Sequence, residues 1–239
     1  PRNTITFIGP RKPLVAGVLG ASINLVTGST LAAELMETTV MPWPDWQPLT
    51  VIPSDQRELR CRQCRGKFVD LLKDADRSLP PSEAGLEVTA DDSEVTETTL
   101  YFTGNVQAQQ GYRSMSADSV AIDRENETAT ASRNVILREP GMVMTGMEIR
   151  YDSLAEQADL TNARYVLHDR QLSGSAKLLT RDANGNITIT EGAMTYCAPD
   201  DPSWVLHAKS LEIDPARGEG QAWDAKLRVG GVPVFYLPW

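Results

Sequence analysis

The chain has 239 residues, of which 41% are hydrophobic and 23% are charged, a balance that is typical of one globular core with additional terminal sequence. Its 23 Lys and Arg residues stand against 32 Asp and Glu residues, which gives a formal net charge of -9. Because no basic surface is available to neutralise phosphates and release counterions, this charge argues against a nucleic-acid binder.

Residues 1 to 33 have the pattern of a secretory signal peptide. Basic residues precede an apolar run from Leu14 to Val26, and small residues before Glu34 supply a cleavage site. Ser22 and Asn24 interrupt this run, which is shorter than the roughly 20 apolar residues of a membrane span. We therefore expect an exported mature chain that begins near Glu34.

Residues 34 to 98 are predicted to be a linker. Prolines between positions 42 and 53 leave no period of 2 or 3.6, so this part reads as a loop or tether, and the acidic stretch from Glu83 to Glu97 has the composition of solvated chain. We expect both the leader and the linker to be disordered, and order to begin near Thr99.

The linker contains Cys61 and Cys64 in a C-x-x-C spacing. No second pair of cysteines or histidines stands at the spacing of a zinc site, and no strand and helix follow as in a thioredoxin motif. In an exported chain a structural disulfide is the better interpretation, and the odd count of three cysteines leaves at least one thiol free or paired outside this chain.

A unit of about 30 residues recurs between Leu100 and Val229. Aspartates close successive units at Asp123, Asp152, Asp182 and Asp214, at intervals of 29, 30 and 32. A second phrase lies between them, at Gly104-Asn105-Val106, Arg133-Asn134-Val135, Asn162-Ala163, Gly192-Ala193 and Asp224-Ala225. Self-similarity at a fixed period indicates one supersecondary unit stacked on copies of itself.

Within each unit, apolar and polar residues alternate as in strands with one wet face. The sequence therefore predicts an all-β fold of about five units, each giving one strand to each of two facing sheets. Many inner positions are small, for example Ala117, Gly146, Ala163 and Ala193, and methionine is frequent among the larger ones. Small residues and thioethers suit a cavity for varied apolar guests, but a tight core in which small and large residues interdigitate explains the same composition.

No constellation for catalysis or metal binding stands out. His168 and His207 have no adjacent nucleophile and are interpreted as surface or rim residues. The recurring aspartates lack the spacing of a calcium loop and are better explained as turn residues. We expect no catalytic residue, metal or cofactor, and hence no enzyme. The alternative is an exported β-helix or sandwich that binds or cleaves acidic polysaccharide with Asp118, Glu148 and Asp152.

Several phrases resemble the lipopolysaccharide-assembly outer-membrane protein family LptD, also called organic solvent tolerance protein. They are Cys64-Arg65-Gly66-Lys67-Phe68-Val69, the Gly104 to Val106 and Ala117 to Val120 wording of the repeats, Asn162 to His168, Gly192 to Pro199 with Trp204, Trp223 to Val229, and Val232-Pro233-Val234-Phe235-Tyr236. The phrase around Cys197 and the Val-Pro-Val-Phe-Tyr ending are the most specific.

The resemblance implies an open two-sheet β-jellyroll over residues 99 to 232 on the periplasmic face of the outer membrane. In that family the jellyroll receives acyl chains of lipopolysaccharide in an apolar groove and passes them to an outer-membrane β-barrel for insertion in the outer leaflet. Residues 233 to 239 would begin the connection to that barrel, which lies outside this chain. The groove residues implied for this sequence are Phe102, Val106, Met115, Val120, Val135, Leu137, Met144, Ile149, Tyr165, Leu172, Leu206 and Leu227.

The resemblance also implies partners. A periplasmic bridge protein of the same transport system would add a strand at the N-terminal edge, which the sequence places at the strand from Leu100 to Val106. The lipoprotein plug LptE would be met through the barrel. By residue match, Cys64 and Cys197 would form disulfides with an adjacent cysteine pair in the barrel, and Cys61 departs from the family pattern.

Overall fold

The structure is a computed structural model that describes residues 3–7, 43–54, 65–81, 83–199, 203–214, 217 and 219–238. Every regular element in this part of the chain is a β-strand, which confirms the predicted all-β class. None of the described segments forms a helix of the length and apolarity needed to cross a bilayer. The remainder of the predicted leader, Cys61 and Cys64 lie outside the described residues.

Sixteen strands are described, many of them 9 to 12 residues long. They are β1 (Asn3–Phe7), β2 (Trp46–Pro48), β3 (Gly66–Phe68), β4 (Leu86–Ala90), β5 (Asp92–Val95), β6 (Thr99–Gln110), β7 (Arg113–Asp123), β8 (Thr128–Glu139), β9 (Met142–Asp152), β10 (Gln157–Leu167), β11 (Leu172–Arg181), β12 (Ile187–Thr195), β13 (Trp204–Asp214), β14 (Glu219–Trp223), β15 (Ala225–Val229) and β16 (Val232–Leu237).

Fourteen of these strands form one antiparallel sheet. From β6 to β13 each strand pairs with the next one in the chain, so the sheet is a meander with short hairpin connections. β4 and β5 both pair with β6 at one end, and β14 and β15 both pair with β13 at the other. β2 and β3 form a separate two-stranded sheet.

The long strands bend at the same level all across the sheet. Register shifts occur between Thr103 and Val106, between Ser116 and Ser119, and between Ser132 and Val135. Backbone φ is positive at the bend residues Gly104, Asn105, Arg133, Asn134, Asn162, Glu191 and Asp224. The second repeated phrase of the sequence therefore marks this line of bends, which we call the corner, because glycine and asparagine tolerate the left-handed conformation best.

The corner folds the single sheet into two facing layers. Val106 and Phe102 lie on either side of it, as do Val135 and Ala131, and all four are buried in one hydrophobic cluster. Since this face of the sheet is covered only by itself within the described residues, its two halves must pack on each other. The open β-jellyroll is thus confirmed, with the difference that its two layers are halves of one bent sheet.

Polar pairs stabilise the outside of the corner. Asn105 Nδ2 donates to Asp91 Oδ2 at 2.6 Å, and Asn134 Nδ2 donates to Asp118 Oδ1 at 3.1 Å. Close to the corner, Gly146 has no room for a side chain, because a Cβ there would lie 2.5 Å from Leu160 Cδ1. The small residue in that repeat thus marks a close approach.

The recurring aspartates close turns, as predicted. Asp123 Oδ1 accepts hydrogen bonds from the backbone N–H groups of Glu125 and Asn126, and Asp182 Oδ1 accepts from those of Asn184 and Asn186. Hydrogen bonds to the ionised form, led by the side chain of the local asparagine, hold the pKa of Asp123 and of Asp182 below the usual range. Asp152 and Asp214 accept in the same way, from Leu154 and Arg217 respectively.

The ordered structure begins before Thr99, so the expectation of a disordered linker up to residue 98 is wrong for its described part. β4 and β5 continue the sheet beyond β6, and together they form one more bent strand with its break at Asp91. In β4, Glu87 and Thr89 alternate with Leu86, Val88 and Ala90, which face the core. The acidic composition of this stretch led to the linker prediction, although its residues also show the period-2 alternation of a strand.

The proline-rich segment also departs from the expectation of a loose tether. Residues 43–54 and 65–72, which we call the strap, lie on the outer face of the sheet and include the β2–β3 ladder. Phe68 is buried against Val143 and Val166 of β9 and β10, and the Trp46 ring meets Phe68 edge-on at 4.9 Å between centroids. Aromatic side chains thus fix the strap without a long regular element.

Candidate functional site

The inner face of the sheet carries one uninterrupted row of apolar side chains. Successive cross-strand partners run through Val88, Ala108, Met115, Leu137, Met144, Tyr165, Gly174, Met194, Leu206, Leu227 and Phe235. With neighbouring strands about 4.8 Å apart, ten steps extend this row over about 48 Å. The row contains no charged residue, and its one polar group is the Tyr165 hydroxyl.

In β6, β8 and β10, exposure along the inner face rises with distance from the corner, whereas Leu172 in β11 stays buried next to its turn. Val106 and Val135, next to the corner, are fully buried, whereas Leu100, Leu137 and Leu167, farther along their strands, are only partly buried. The two layers therefore form a V in cross-section, with a dry apex at the corner and an apolar mouth between the hairpin turns. We call the partly buried inner residues at this mouth the lips.

All twelve residues predicted for the groove face the inside of the V. Near its apex lie Phe102, Val106, Val120, Val135 and Ile149; on the continuous row lie Met115, Leu137, Met144, Tyr165, Leu206 and Leu227; and Leu172 lies one pair farther toward the mouth. Ala193 does not belong to this face, since its neighbours Gly192 and Met194 pair with inner residues. The alternation in β12 is therefore shifted by one residue from the predicted phase.

Tyr165 is the polar exception in the row. Its hydroxyl donates to the carbonyl oxygen of Ala193 at 3.4 Å, and burial raises its pKa to about 12. The ring lies where a Cβ on Gly174 would stand, so the glycine makes room for it. Because its hydroxyl points into a backbone contact, Tyr165 presents mainly its ring to the groove.

Burial is lost at the C-terminal end of the row. Trp204, Leu227 and Val229 line an apolar cavity of about 490 Å³ together with Ser203. Beyond it, β16 exposes apolar side chains on both faces, with Phe235 at 56% and Val232 at 62% exposure. Within the described residues, nothing covers these side chains of β16.

The N-terminal end of the sheet differs from the expectation. β6, which contains Leu100 to Val106, is an interior strand, because β4 and β5 pair with it on one side and β7 on the other. The outer edge of β4 is paired with β1, whose residues Asn3–Phe7 belong to the predicted leader. β4 therefore shows the register with which this edge accepts an antiparallel strand.

Cys197 and the two histidines lie away from the groove row. Cys197 is half-buried in the β12–β13 loop, forms no disulfide with any described residue, and has its backbone N–H bonded to Thr195 Oγ1 at 3.0 Å. Burial, and then the charge of Arg228, lowers the pKa of His207 on β13. His168 is not a surface residue as predicted: it is 5% exposed and bonded to the strap.

The carboxylates of the polysaccharide alternative lie on different strands or turns and have separate local partners. Asp118 lies on the outside of the corner and accepts from Asn134, while Asp152 caps the β9–β10 turn by accepting from the backbone of Leu154. Glu148 accepts only a long contact of 3.4 Å from Ser132 Oγ. Asp118 is thus engaged by a neighbouring side chain and Asp152 by turn backbone, and no described group of three or more His, Cys, Asp or Glu residues could hold a metal ion.

The strap contains the buried polar cluster that the sequence analysis missed. Asp45 is 2% exposed at its side chain and accepts from Arg138 Nη1 at 2.6 Å and from His168 Nε2 at 3.0 Å. The sequence contains a signal for it in Val143 and Val166. Each stands between two apolar residues of its strand, at a position where the alternation would place a polar residue. Three consecutive apolar residues in a strand indicate that both of its faces are covered.

Comparisons with known proteins agree on one family. Residues 87–219 match the family model described as LptA/(LptD N-terminal domain) LPS transport protein. The chain is 34% identical over 177 residues to the LPS-assembly protein LptD of Saccharophagus degradans, in an alignment that covers 74% of this chain and 21% of the relative. It is 29% identical over 232 residues to the LptD of Hahella chejuensis, which covers 95% of this chain and 28% of the relative. The chain thus spans between a fifth and a third of these relatives.

A solved structure also matches. LptH from Pseudomonas aeruginosa, described as the LptA homologous periplasmic component of the conserved lipopolysaccharide transport device, aligns with a TM-score of 0.36 at 18% identity. The alignment covers 45% of this chain and 79% of that one.

Proposed function

The chain belongs to the LptA/LptD N-terminal domain family of LPS transport proteins, and we propose that it carries lipopolysaccharide by holding the acyl chains in the V-shaped groove. The observation that supports this most is the continuous apolar row from Val88 to Phe235 with its partly buried lips. A non-directional apolar surface stabilises each buried CH₂ by about 0.8 kcal/mol and favours no single position, so an acyl chain can slide along it.

Direction follows from the two ends of the sheet. The N-terminal edge at β4 and β5 is proposed to receive the lipid, and the exposed inner surface around Leu227, Val229 and Phe235 is proposed to pass it on to an outer-membrane β-barrel for insertion in the outer leaflet. In this proposal the protein is exported and acts at the periplasmic face of the outer membrane, with the lipoprotein LptE met through the barrel.

A lipid crosslinking experiment tests the groove. A photo-crosslinking amino acid is placed at Met115, Met144 or Met194 of the row, and in a matched control at Met147, which is 61% exposed and lies outside the corner. Labelled lipopolysaccharide is expected to be captured from the three row positions and not from Met147. Equal capture at all four positions, or capture at Met147 alone, would refute the groove.

A bridge protein of the same transport system is proposed to add a strand at the outer edge of β4. An unpaired edge is a template for strand addition, and β1 shows that this edge accepts a five-residue antiparallel strand. Removal of the predicted leader would free the edge. A photo-crosslinker at Thr89 is expected to capture a periplasmic protein in cells, while one at Gln107 in the interior strand β6 serves as control; capture at Gln107 alone contradicts the proposal.

The disulfides remain part of the proposal. Cys64 and Cys197 are proposed to bond to a cysteine pair in the barrel portion of the full-length gene product. Cys64→Ser and Cys197→Ser are each expected to change its mobility on a non-reducing gel and to leave it unchanged after reduction. Identical mobility of wild type and both variants without reductant would remove the support for this pairing.

A further inference from the structure

Behind the lips, the strap holds the outer face of one layer at two adjacent hairpin turns. Asp70 Oδ2 accepts from the backbone N–H of Gly141 in the β8–β9 turn at 2.8 Å. Gln171 in the β10–β11 turn accepts from the Phe68 N–H through Oε1 at 2.9 Å and donates to the Phe68 carbonyl through Nε2 at 2.8 Å. One short segment thus spans both turns.

Asp45 makes the buried charged contact of the strap. Its carboxylate is bonded to Arg138, at the end of β8, and to His168, at the start of the β10–β11 turn. Within the described part of the chain, Nδ1 of His168 has no hydrogen-bond partner, so the hydrogen bond of this ring goes to Asp45 through Nε2. The Arg138 side chain is only 24% exposed, so loss of the Asp45 charge leaves a partly buried guanidinium without its carboxylate partner, and this contact depends on the charge of Asp45 and not only on its shape.

The residues that hold the strap are immediate neighbours of the lips. Arg138 follows Leu137, Val143 precedes Met144, and Val166 precedes Leu167 in the sequence. Successive residues of a strand point to opposite faces, so the strap grips one face of the same backbone that presents the lips on the other. Movement of the strap therefore moves the lips.

From this arrangement we infer that the strap is a latch that fixes the width of the groove mouth, and that Asp45 is its positioning residue. The inference deepens the proposed function and rests on it only for the identity of the bound lipid, because the width of the groove mouth can be defined in the lipid-free protein. With the latch closed, the lip formed by Leu137, Met144 and Leu167 stays close to the opposite layer. With the latch released, these two hairpins swing away and the middle of the groove widens.

Mouth width can be measured without lipopolysaccharide. In the full chain with its three cysteines replaced by serine, spin labels at Arg170 on the latched side and at Leu154 on the opposite side report the distance across the mouth by pulsed electron resonance. A second pair, Glu125 and Leu154, lies on the two turns of the unlatched layer and serves as reference. All three positions are exposed.

Two variants release the latch at independent contacts, and one is a matched control. Asp45→Asn removes the buried charge, Gln171→Ala removes both hydrogen bonds to Phe68, and Asp74→Asn makes the same chemical change at a surface ion pair with Lys73 whose aspartate is 88% exposed. Latch release is scored separately by trypsin cleavage after Arg65, which is expected to be roughly a hundredfold faster in Asp45→Asn. Far-UV circular dichroism confirms that the sheet persists.

The expected result is a longer and broader Arg170–Leu154 distance in Asp45→Asn and Gln171→Ala, with an unchanged Glu125–Leu154 distance and no effect of Asp74→Asn. An unchanged mouth distance despite fast cleavage would overturn the inference, because the strap would then be a passive cover. Unchanged cleavage in Asp45→Asn would overturn the role of Asp45. A mouth that widens as expected while the row captures no lipopolysaccharide would retain the latch and refute the proposed function alone.

Discussion

Gly146 lies close to the corner and against Leu160, and a single methyl group there tests the packing of the apex. In Gly146→Ala the added Cβ would stand 2.5 Å from Leu160 Cδ1 and 2.9 Å from the carbonyl oxygen of Thr161. The backbone oxygen cannot move without disturbing the β9–β10 ladder, and Leu160 is itself only 2% exposed. Overpacking of this kind lowers the free energy of unfolding by about 1–3 kcal/mol. Replacement of glycine also makes the unfolded chain less flexible, which offsets up to about 1 kcal/mol of that loss.

The net expectation is a loss of about 1–2 kcal/mol in the free energy of unfolding, measured by urea denaturation. Gly220→Ala is the control, because the nearest atom to its Cβ is the Glu212 carbonyl oxygen at an ordinary 3.5 Å, and it is expected to stay within about 0.5 kcal/mol of wild type.

A double-mutant cycle separates the contact from other effects. Leu160→Ala alone is expected to cost about 2–5 kcal/mol as a buried leucine truncation, but combined with Gly146→Ala it should cost less than the sum, because the truncated side chain makes room for the new methyl group. Strict additivity of the two changes, or a Gly146→Ala variant as stable as Gly220→Ala, would refute the tight apex and leave the two layers further apart than the structure shows.

Two further predictions concern the corner and the strap. Asn162 at the corner has φ of +48°, so Asn162→Val is expected to cost about 1–3 kcal/mol in urea denaturation whereas Asn162→Gly stays near wild type, and equal stabilities would contradict a strained bend. Burial alone would raise the pKa of Asp45, but the hydrogen bonds from His168 and Arg138 outweigh it and hold that pKa below the usual range. A carboxylate with a lowered folded pKa stabilises the fold above its unfolded pKa of about 3.9 and loses that contribution as the pH falls through the folded value. Trp46 fluorescence should therefore report strap release below about pH 4, and an identical acid transition in Asp45→Asn would argue against this origin.

Most of the fold could be predicted from the repeat, because the features that predict it depend on residues close together in the sequence. Period-2 alternation and the aspartates at Asp123 and Asp182 predict strands and turns, because both depend on a few neighbouring residues. The phrases at Gly104-Asn105 and Arg133-Asn134 are equally local, since a positive φ needs residues that tolerate it. Their meaning as one corner across the sheet, however, appears only when the strands are placed in register.

What the sequence alone determined about this protein is therefore its all-β class, its turns, and the inner face on which the twelve residues predicted for the groove lie. The tertiary structure alone decided that the two layers are one bent sheet, that β6 is an interior strand flanked by β4 and β5, and that Asp45 is buried under the strap. The physical reason is range: alternation and turn chemistry act over a few residues, whereas the bond between Asp45 and His168 joins positions 123 residues apart. No period in the chain specifies such a contact.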